Sequence, residues 1–115
     1  IEAVDLSPEM IRISRKKAEE AGYSDIRFRT GNARKLDYPD NEFDLVVTSN
    51  APVYPGEAVR VLKPGGELLA AYSFGGEIFD KAKEDVVQLF RKNGLTLEKL
   101  KSSNKGVFIL GRKEK

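Results

Sequence analysis

The sequence predicts an α/β fold built on one mostly parallel sheet, and three observations predict it. Short apolar runs alternate with helical patterns along most of the chain. Residues 43–48 and 68–72 are nearly continuous apolar runs, which are typical of strands inside a parallel sheet. Near the end, the strand patterns 95–100 and 107–110 are separated by a short polar turn, which requires an antiparallel hairpin.

Residues 1–5 predict a first strand that leads directly into a helix. Ser7 and Pro8 have the chemistry of a helix start, because a hydroxyl caps unpaired amides and proline fits the first turn. Gly22 predicts the helix end, since glycine tolerates a left-handed backbone. The predicted apolar side of this helix consists of Met10, Ile11, Ala18 and Ala21.

The middle of the chain predicts two more strands and a short helix. Residues 26–30 alternate apolar and polar side chains, which indicates a strand near a sheet edge. Residues 43–48 are expected to form an interior strand covered on both faces. A short helix over 57–62 then precedes a turn at 63–66, and the strand 68–72 follows.

The clearest helical pattern spans residues 78–93, and Gly94 predicts its end. Its apolar residues recur at helical spacing: Ile78, Phe79, Ala82, Val86, Leu89 and Phe90. The closing hairpin completes the pattern. With no internal repeat or low-complexity linker, residues 1–115 are expected to form a single domain.

Composition excludes several classes of site. The chain has no cysteine and no histidine, which excludes disulfide scaffolds, Ser-His-Asp triads and zinc sites made of imidazole or thiolate, so no metal site is predicted. No apolar run approaches the roughly 20 residues that cross a bilayer, and no signal pattern opens the chain, so we expect a cytoplasmic protein without a membrane partner. The 20 Lys and Arg residues are scattered among 18 acids, which does not indicate nucleic-acid binding.

Candidate site residues follow the predicted strands. In an open α/β sheet, ligands bind beyond the carboxyl ends of the strands. Asp5 ends the first strand, and an acid there has the geometry to accept hydrogen bonds from both hydroxyls of a ribose. Asp5 could equally cap the helix that begins near Ser7, and its position alone does not separate the two interpretations. Ser49, after the third strand, is likewise either a ligand contact or part of an ordinary turn.

Four segments, in order, resemble the successive motifs of class I S-adenosylmethionine-dependent methyltransferases of the type 11-like kind. They read EAVDLSPEM at 2–10, GNA at 31–33 followed by Leu36 and Pro39, FDLV at 43–46 and RVLKPGGEL at 60–68. The resemblance implies a Rossmann-like methyltransferase sheet with spatial strand order 3-2-1-4-5-7-6, mostly parallel and ending in an antiparallel hairpin. It covers the second to the seventh strand of that fold, so we expect an N-terminally truncated, partial domain.

The resemblance also implies S-adenosylmethionine as the cofactor and assigns roles to five residues. Asp5 would hold the ribose diol, and Leu6 would pack on the adenine. Asn32, where the family usually has aspartate, would accept from the adenine amino group, and Ala33 would offer its backbone N–H to a ring nitrogen. Ser49 would lie near the methionine part of the cofactor. No catalytic residue is identified, and the sequence does not reveal the methyl acceptor.

The sequence therefore predicts a methyltransferase domain or fragment that transfers a methyl group to an unidentified nucleophile. The chain contains no G-x-G, although the family's glycine-rich loop receives the amino-acid end of the cofactor. We therefore expect this chain alone to be inactive. The alternative is a non-catalytic methyltransferase-like module for binding or assembly. A nicotinamide-dependent dehydrogenase is disfavoured, because it too would require a glycine fingerprint.

The resemblance also implies a gap in the sheet. The family's first strand would lie between the strands 1–5 and 43–48, and without it both would leave backbone groups unpaired. Three arrangements would satisfy those groups: a separate N-terminal segment, direct pairing of the two strands, or edge-to-edge association. The last predicts a homodimer or a strand-exchanged oligomer.

Overall fold

The computed structural model describes residues 2–5, 7–49, 54–73, 76–103 and 106–115. The elements, in chain order, are β1 (Glu2–Asp5), α1 (Pro8–Glu20), β2 (Arg27–Thr30), β3 (Phe43–Ser49), α2 (Pro55–Val61), β4 (Leu62–Tyr72), α3 (Gly76–Lys92), β5 (Leu95–Ser103) and β6 (Gly106–Lys113). The chain divides into two compact units, Ile1–Asp37 and Tyr38–Lys115.

The first unit is a parallel strand pair with one helix. β1 pairs with β2 from Glu2 opposite Arg27 to Asp5 opposite Thr30. The predicted helix start is confirmed: Pro8 opens α1, and the Oγ of Ser7 accepts a 3.2 Å hydrogen bond from the Met10 amide.

The end of α1 is also as predicted, whereas its apolar side is only partly right. Gly22 has a φ of 85°, the left-handed value expected just after the helix. Ile11 is buried, but Met10 is 48% exposed and Ala21 is exposed as well. The two strands of this unit have four residues each, so they offer α1 only a narrow surface to cover.

The second unit contains a four-stranded sheet in the order β3-β4-β6-β5. β3 and β4 are parallel, whereas β6 is antiparallel to both β4 and β5, so the predicted closing hairpin is confirmed. Within each sheet the strand order, β2-β1 in one and β3-β4-β6-β5 in the other, agrees with the corresponding part of the order that the resemblance implies.

The core of the second unit lies where α2 and α3 meet the sheet. Its fully buried side chains include Val61, Leu62, Leu68, Phe90 and Ile109. Burial of one large apolar side chain contributes about 1.5–3 kcal/mol. The helix pattern of α3 is confirmed by Phe90 and by Gly94, whose φ is 81°, but Leu89, predicted on the apolar side, is exposed. The side chains of Ile78, Phe79 and Ala82 lie outside the described part.

The predicted turn at 63–66 is a bulge inside a strand rather than a turn before one. β4 already begins at Leu62, which lies opposite Phe43, and the next pair joins Leu45 to Glu67. Four residues therefore bow out of the ladder between those pairs. Gly65 has a φ of 84°. The bulge therefore uses the conformational freedom of glycine, the same property from which the sequence predicts a turn.

β3 differs from its prediction as an interior strand. Leu45 is 54% exposed and Val47 is 56% exposed, while Val46 between them packs against the core. Among the described strands, β3 pairs with β4 only, and β1 pairs with β2 only. The three arrangements expected for the edges of these two strands stay predictions. Leu45 and Val47 are two residues apart, so they lie on one face of β3, and that face is exposed.

No helix in the described part of the chain combines the length and the apolar character that crossing a membrane requires.

Candidate functional site

The candidate site lies at the carboxyl end of the β1–β2 pair. The Gly31 amide donates a 2.9 Å hydrogen bond to the backbone oxygen of Asp5, directly after the last residue pair of the two strands. Because the strands are parallel, the residues that follow them emerge at the same edge. The structure thus brings together three of the predicted residues, Asp5, Asn32 and Ala33.

The Asp5 carboxylate serves the helix start and keeps acceptor capacity. Its Oδ1 accepts a 2.9 Å hydrogen bond from the Ser7 amide, and Ser7 in turn caps α1. The side chain is exposed, and Oδ2 accepts no hydrogen bond from the residues that the structure describes. A carboxylate has about four lone-pair sites. Capping and ligand binding, the two interpretations left open by the sequence, are therefore compatible in one side chain.

Asn32 forms a tight turn immediately after β2. Its Oδ1 accepts a 2.9 Å hydrogen bond from the Arg34 amide, and its backbone oxygen accepts a 3.0 Å bond from the Lys35 amide. Sequence reasoning missed this role, although asparagine commonly bonds the amide two residues further on. The turn uses one lone pair of the side-chain carbonyl, and the second lone pair is left for a ligand.

Ala33 provides a hydrogen-bond donor within the same turn. The residue is exposed, and its backbone N–H makes no hydrogen bond within the described ranges. A donor next to the Asn32 carbonyl is complementary to the edge of adenine, where a ring nitrogen accepts and an amino group donates. The turn therefore presents both groups that recognition of adenine requires.

Two predicted site residues cannot be placed as side chains. Leu6 lies outside the described residues. Ser49 is the last residue of β3, in the second unit, with its backbone opposite Ala71, and its side chain is not described. Their roles stay predictions.

The basic residues of β2 have acidic partners on their own unit. Arg27 lies 3.6 Å from the Glu2 carboxylate, and Arg29 lies 3.7 Å from that of Asp37. Exposed pairs of this kind contribute at most about 1 kcal/mol each. They are typical of a solvated sheet face and do not indicate a nucleic-acid surface.

A parallel strand pair with polar groups gathered at its carboxyl end is typical of α/β proteins, which bind ligands at that edge. Residues 1–66, more than half of the chain, match the family model described as "Methyltransferase domain". The chain belongs to this family, which confirms the resemblance to class I S-adenosylmethionine-dependent methyltransferases.

Curated relatives carry the same family name. The chain is 37% identical over 86 residues to a demethylmenaquinone methyltransferase of Bacillus velezensis, a match that covers 69% of this chain and 37% of that protein. It is 39% identical over 75 residues to the protein of that name from Listeria welshimeri, covering 59% and 32%. The chain therefore spans little more than a third of the length of these relatives.

Solved structures agree with the fold. A protein of Bacillus halodurans aligns with 99% of this chain and 83% of its own length, with a TM-score of 0.85 and 17% identity. An S-adenosylmethionine-dependent methyltransferase of Methanosarcina mazei aligns with 98% of this chain and 81% of its own length, with a TM-score of 0.77 and 18% identity. At these identities the likeness concerns the fold, and it confirms the predicted Rossmann-like sheet.

Proposed function

We propose that this domain binds S-adenosylmethionine and serves methyl transfer to a nucleophilic acceptor in the cytoplasm. The observation that carries the proposal is the strand-end cluster of Asp5, Asn32 and Ala33 in a chain of a methyltransferase family. Asp5 would accept from the ribose hydroxyls through Oδ2. Asn32 and Ala33 would accept from and donate to the adenine edge.

The chemistry asks little of the protein beyond alignment. S-adenosylmethionine, when bound, supplies a methyl group already activated by its sulfonium. The residues of the site have to hold the adenosine end so that the methyl group meets the acceptor in line, and to exclude water. Hydrogen bonds that the nucleoside donates to a charged and to a neutral acceptor fix it in one orientation. Because the cofactor supplies the activation and the protein supplies the alignment, the proposal fits a site without an evident general base.

The acceptor that we propose first is demethylmenaquinone. The support is the 37% identity to proteins of that activity, extending over 69% of this chain. The experiment is a methyl-transfer assay with the full-length protein that carries this domain, using labelled S-adenosylmethionine and demethylmenaquinone. Labelled menaquinone is the expected product. If the protein binds both S-adenosylmethionine and demethylmenaquinone but forms no labelled quinone, this acceptor is excluded.

A second candidate is a non-catalytic module that uses the same fold for assembly. Two observations favour it: the 115 residues contain no G-x-G, and β3 exposes Leu45 and Val47. Such a module would bind a protein surface and would not bind adenosine at its strand ends. The two candidates differ in whether nucleoside binding occurs at all.

A nucleoside titration separates the two candidates. Uniformly ¹⁵N-labelled chain is titrated with adenosine, and backbone amide shifts are followed by NMR. We expect saturable shifts at Asp5 and at 31–33, with inosine, which lacks the amino group, binding several-fold more weakly. Shifts of equal size for both nucleosides, or shifts confined to other regions, would favour the assembly module.

A further inference from the structure

Gly31, directly after β2, leaves no room for a side chain beside Val4 of β1. A Cβ built on Gly31 would lie 2.8 Å from Cγ1 of Val4. Carbon atoms in contact normally lie about 3.5–4.0 Å apart, so an added methyl group would force one of the two residues to move. Valine is stiff at χ1, and Val4 sits within a strand, so its side chain has little freedom to turn away.

This contact lies one residue before each of the two acceptor side chains. Val4 precedes Asp5 in β1, and Gly31 precedes Asn32 after β2. The Gly31 amide also makes the 2.9 Å bond to the backbone oxygen of Asp5, the last bond that joins the two segments. A displacement of Gly31 therefore changes the distance between the Asp5 carboxylate and the turn that holds Asn32 and Ala33.

We propose that Gly31 is a positioning residue: its missing side chain sets the spacing between the ribose acceptor and the adenine-binding turn. This inference rests on the proposed nucleoside site. Ribose and adenine are joined by one glycosidic bond, so one nucleoside can reach both groups only over a narrow range of spacings. A glycine at this position allows the parallel segments to come together to that spacing.

Three variants test the proposal: Gly31→Ala, Val4→Ala and the double substitution. Each is titrated with adenosine and observed by NMR, and each is unfolded thermally to measure its stability. Gly31→Ala should lower the initial slope of the shifts at Asp5 and Ala33 by about fivefold or more, the loss expected for one misplaced hydrogen bond. Val4→Ala removes the atom that the new Cβ would meet, so the double variant should recover the slope to within about twofold of the unchanged chain.

The outcomes distinguish positioning from mere structural support. If Gly31→Ala lowers the unfolding temperature while its folded fraction binds adenosine like the unchanged chain, the proposal is wrong. It is equally wrong if the double variant folds but binds as weakly as Gly31→Ala. Should Gly31→Ala fail to fold, a folded double variant that binds adenosine still supports it. If the unchanged chain itself binds no adenosine, it is the proposed function that fails first.

Discussion

Asp5 and Asn32 accept the same kind of hydrogen bond: each side-chain oxygen receives, at 2.9 Å, the backbone amide two residues further along. Each strand of the pair therefore ends in a polar side chain that closes its own turn. A ligand would have to use the acceptor sites that these turns leave over. Substitutions that keep the turn bond but change the charge can separate ligand binding from folding.

Asp5→Asn should weaken adenosine binding and leave the helix start intact. The asparagine carbonyl can still accept from the Ser7 amide, but the charged acceptor for the ribose is lost. A hydrogen bond to a charged group contributes about 1.5–3 kcal/mol, so affinity should fall about tenfold or more. NMR titration measures the affinity, and circular dichroism checks the helix. Asp5→Ala should lose both functions, and an unchanged affinity in either variant would remove Asp5 from the site.

Asn32→Asp should preserve or strengthen adenosine binding. The carboxylate keeps the bond to the Arg34 amide and presents a charged acceptor to the adenine amino group. Asn32→Ala, the matched control, loses the turn bond together with the acceptor and should bind more weakly. The same titration measures both variants. A marked loss of affinity in Asn32→Asp would mean that this side chain does not face the adenine.

S-adenosylmethionine should bind this chain hardly better than adenosine does. The adenosine end has the strand-end groups as partners, but the chain has no G-x-G to receive the methionine carboxylate and amine. We expect both ligands to bind with dissociation constants on the order of 1 mM, within about threefold of each other. Calorimetry or NMR on the monomeric chain provides the values. Low micromolar binding of S-adenosylmethionine would contradict the prediction.

The position of β3 at the end of its sheet predicts self-association. We propose antiparallel pairing of two β3 strands about Val46, which places Leu45 opposite Val47 of the copy and Asp44 opposite Thr48, so no like charges face each other. Sedimentation velocity should show a sedimentation coefficient that rises with concentration. Val47→Lys should suppress this rise, whereas Leu89→Lys, at a 42% exposed position on α3, should not. A concentration-independent monomer would exclude the pairing.

Tyr72 should titrate above its ordinary pKa and make the fold sensitive to alkali. Burial raises the pKa of its phenol above the ordinary 10.0, because the phenolate is poorly solvated there. The unfolded chain therefore loses this proton first, so the free energy of unfolding should fall as pH rises from about 10 through the pKa of the folded state. The absorbance titration of the chain minus that of Tyr72→Phe isolates this group. If the midpoint of this difference titration lies at or below pH 10, the prediction of a raised pKa for Tyr72 is wrong.

Local chemistry explains which parts of the fold were predictable. The cap at Ser7, the left-handed glycines after α1 and α3 and the closing hairpin depend on a few neighbouring residues, so the sequence indicates them directly. The burial of β3 was predicted wrongly. Whether Leu45 is covered depends on what packs over its face of the sheet, which the run 43–48 cannot encode.

The features of the candidate site likewise fall into those that the sequence could predict and those that it could not. The resemblance places Asp5, Asn32 and Ala33, and the parallel register brings them to one edge. The use of Asn32 as a turn former and the close contact between Gly31 and Val4 depend on atomic positions across two strands. Hydrophobic periodicity carries no information on such distances, so only the structure reveals them.

The position of β6 in its sheet has a consequence for biosynthesis. β6 lies between β4 and β5, although it follows every other strand along the chain. As the polypeptide leaves the ribosome, β5 therefore emerges before the strand that joins it to the sheet. The inner face of β4, with Leu68 and Ala70, lacks its neighbour until residues 106–113 have emerged. Ordering of the second unit is thus expected late in translation, in a single step that waits for its central strand.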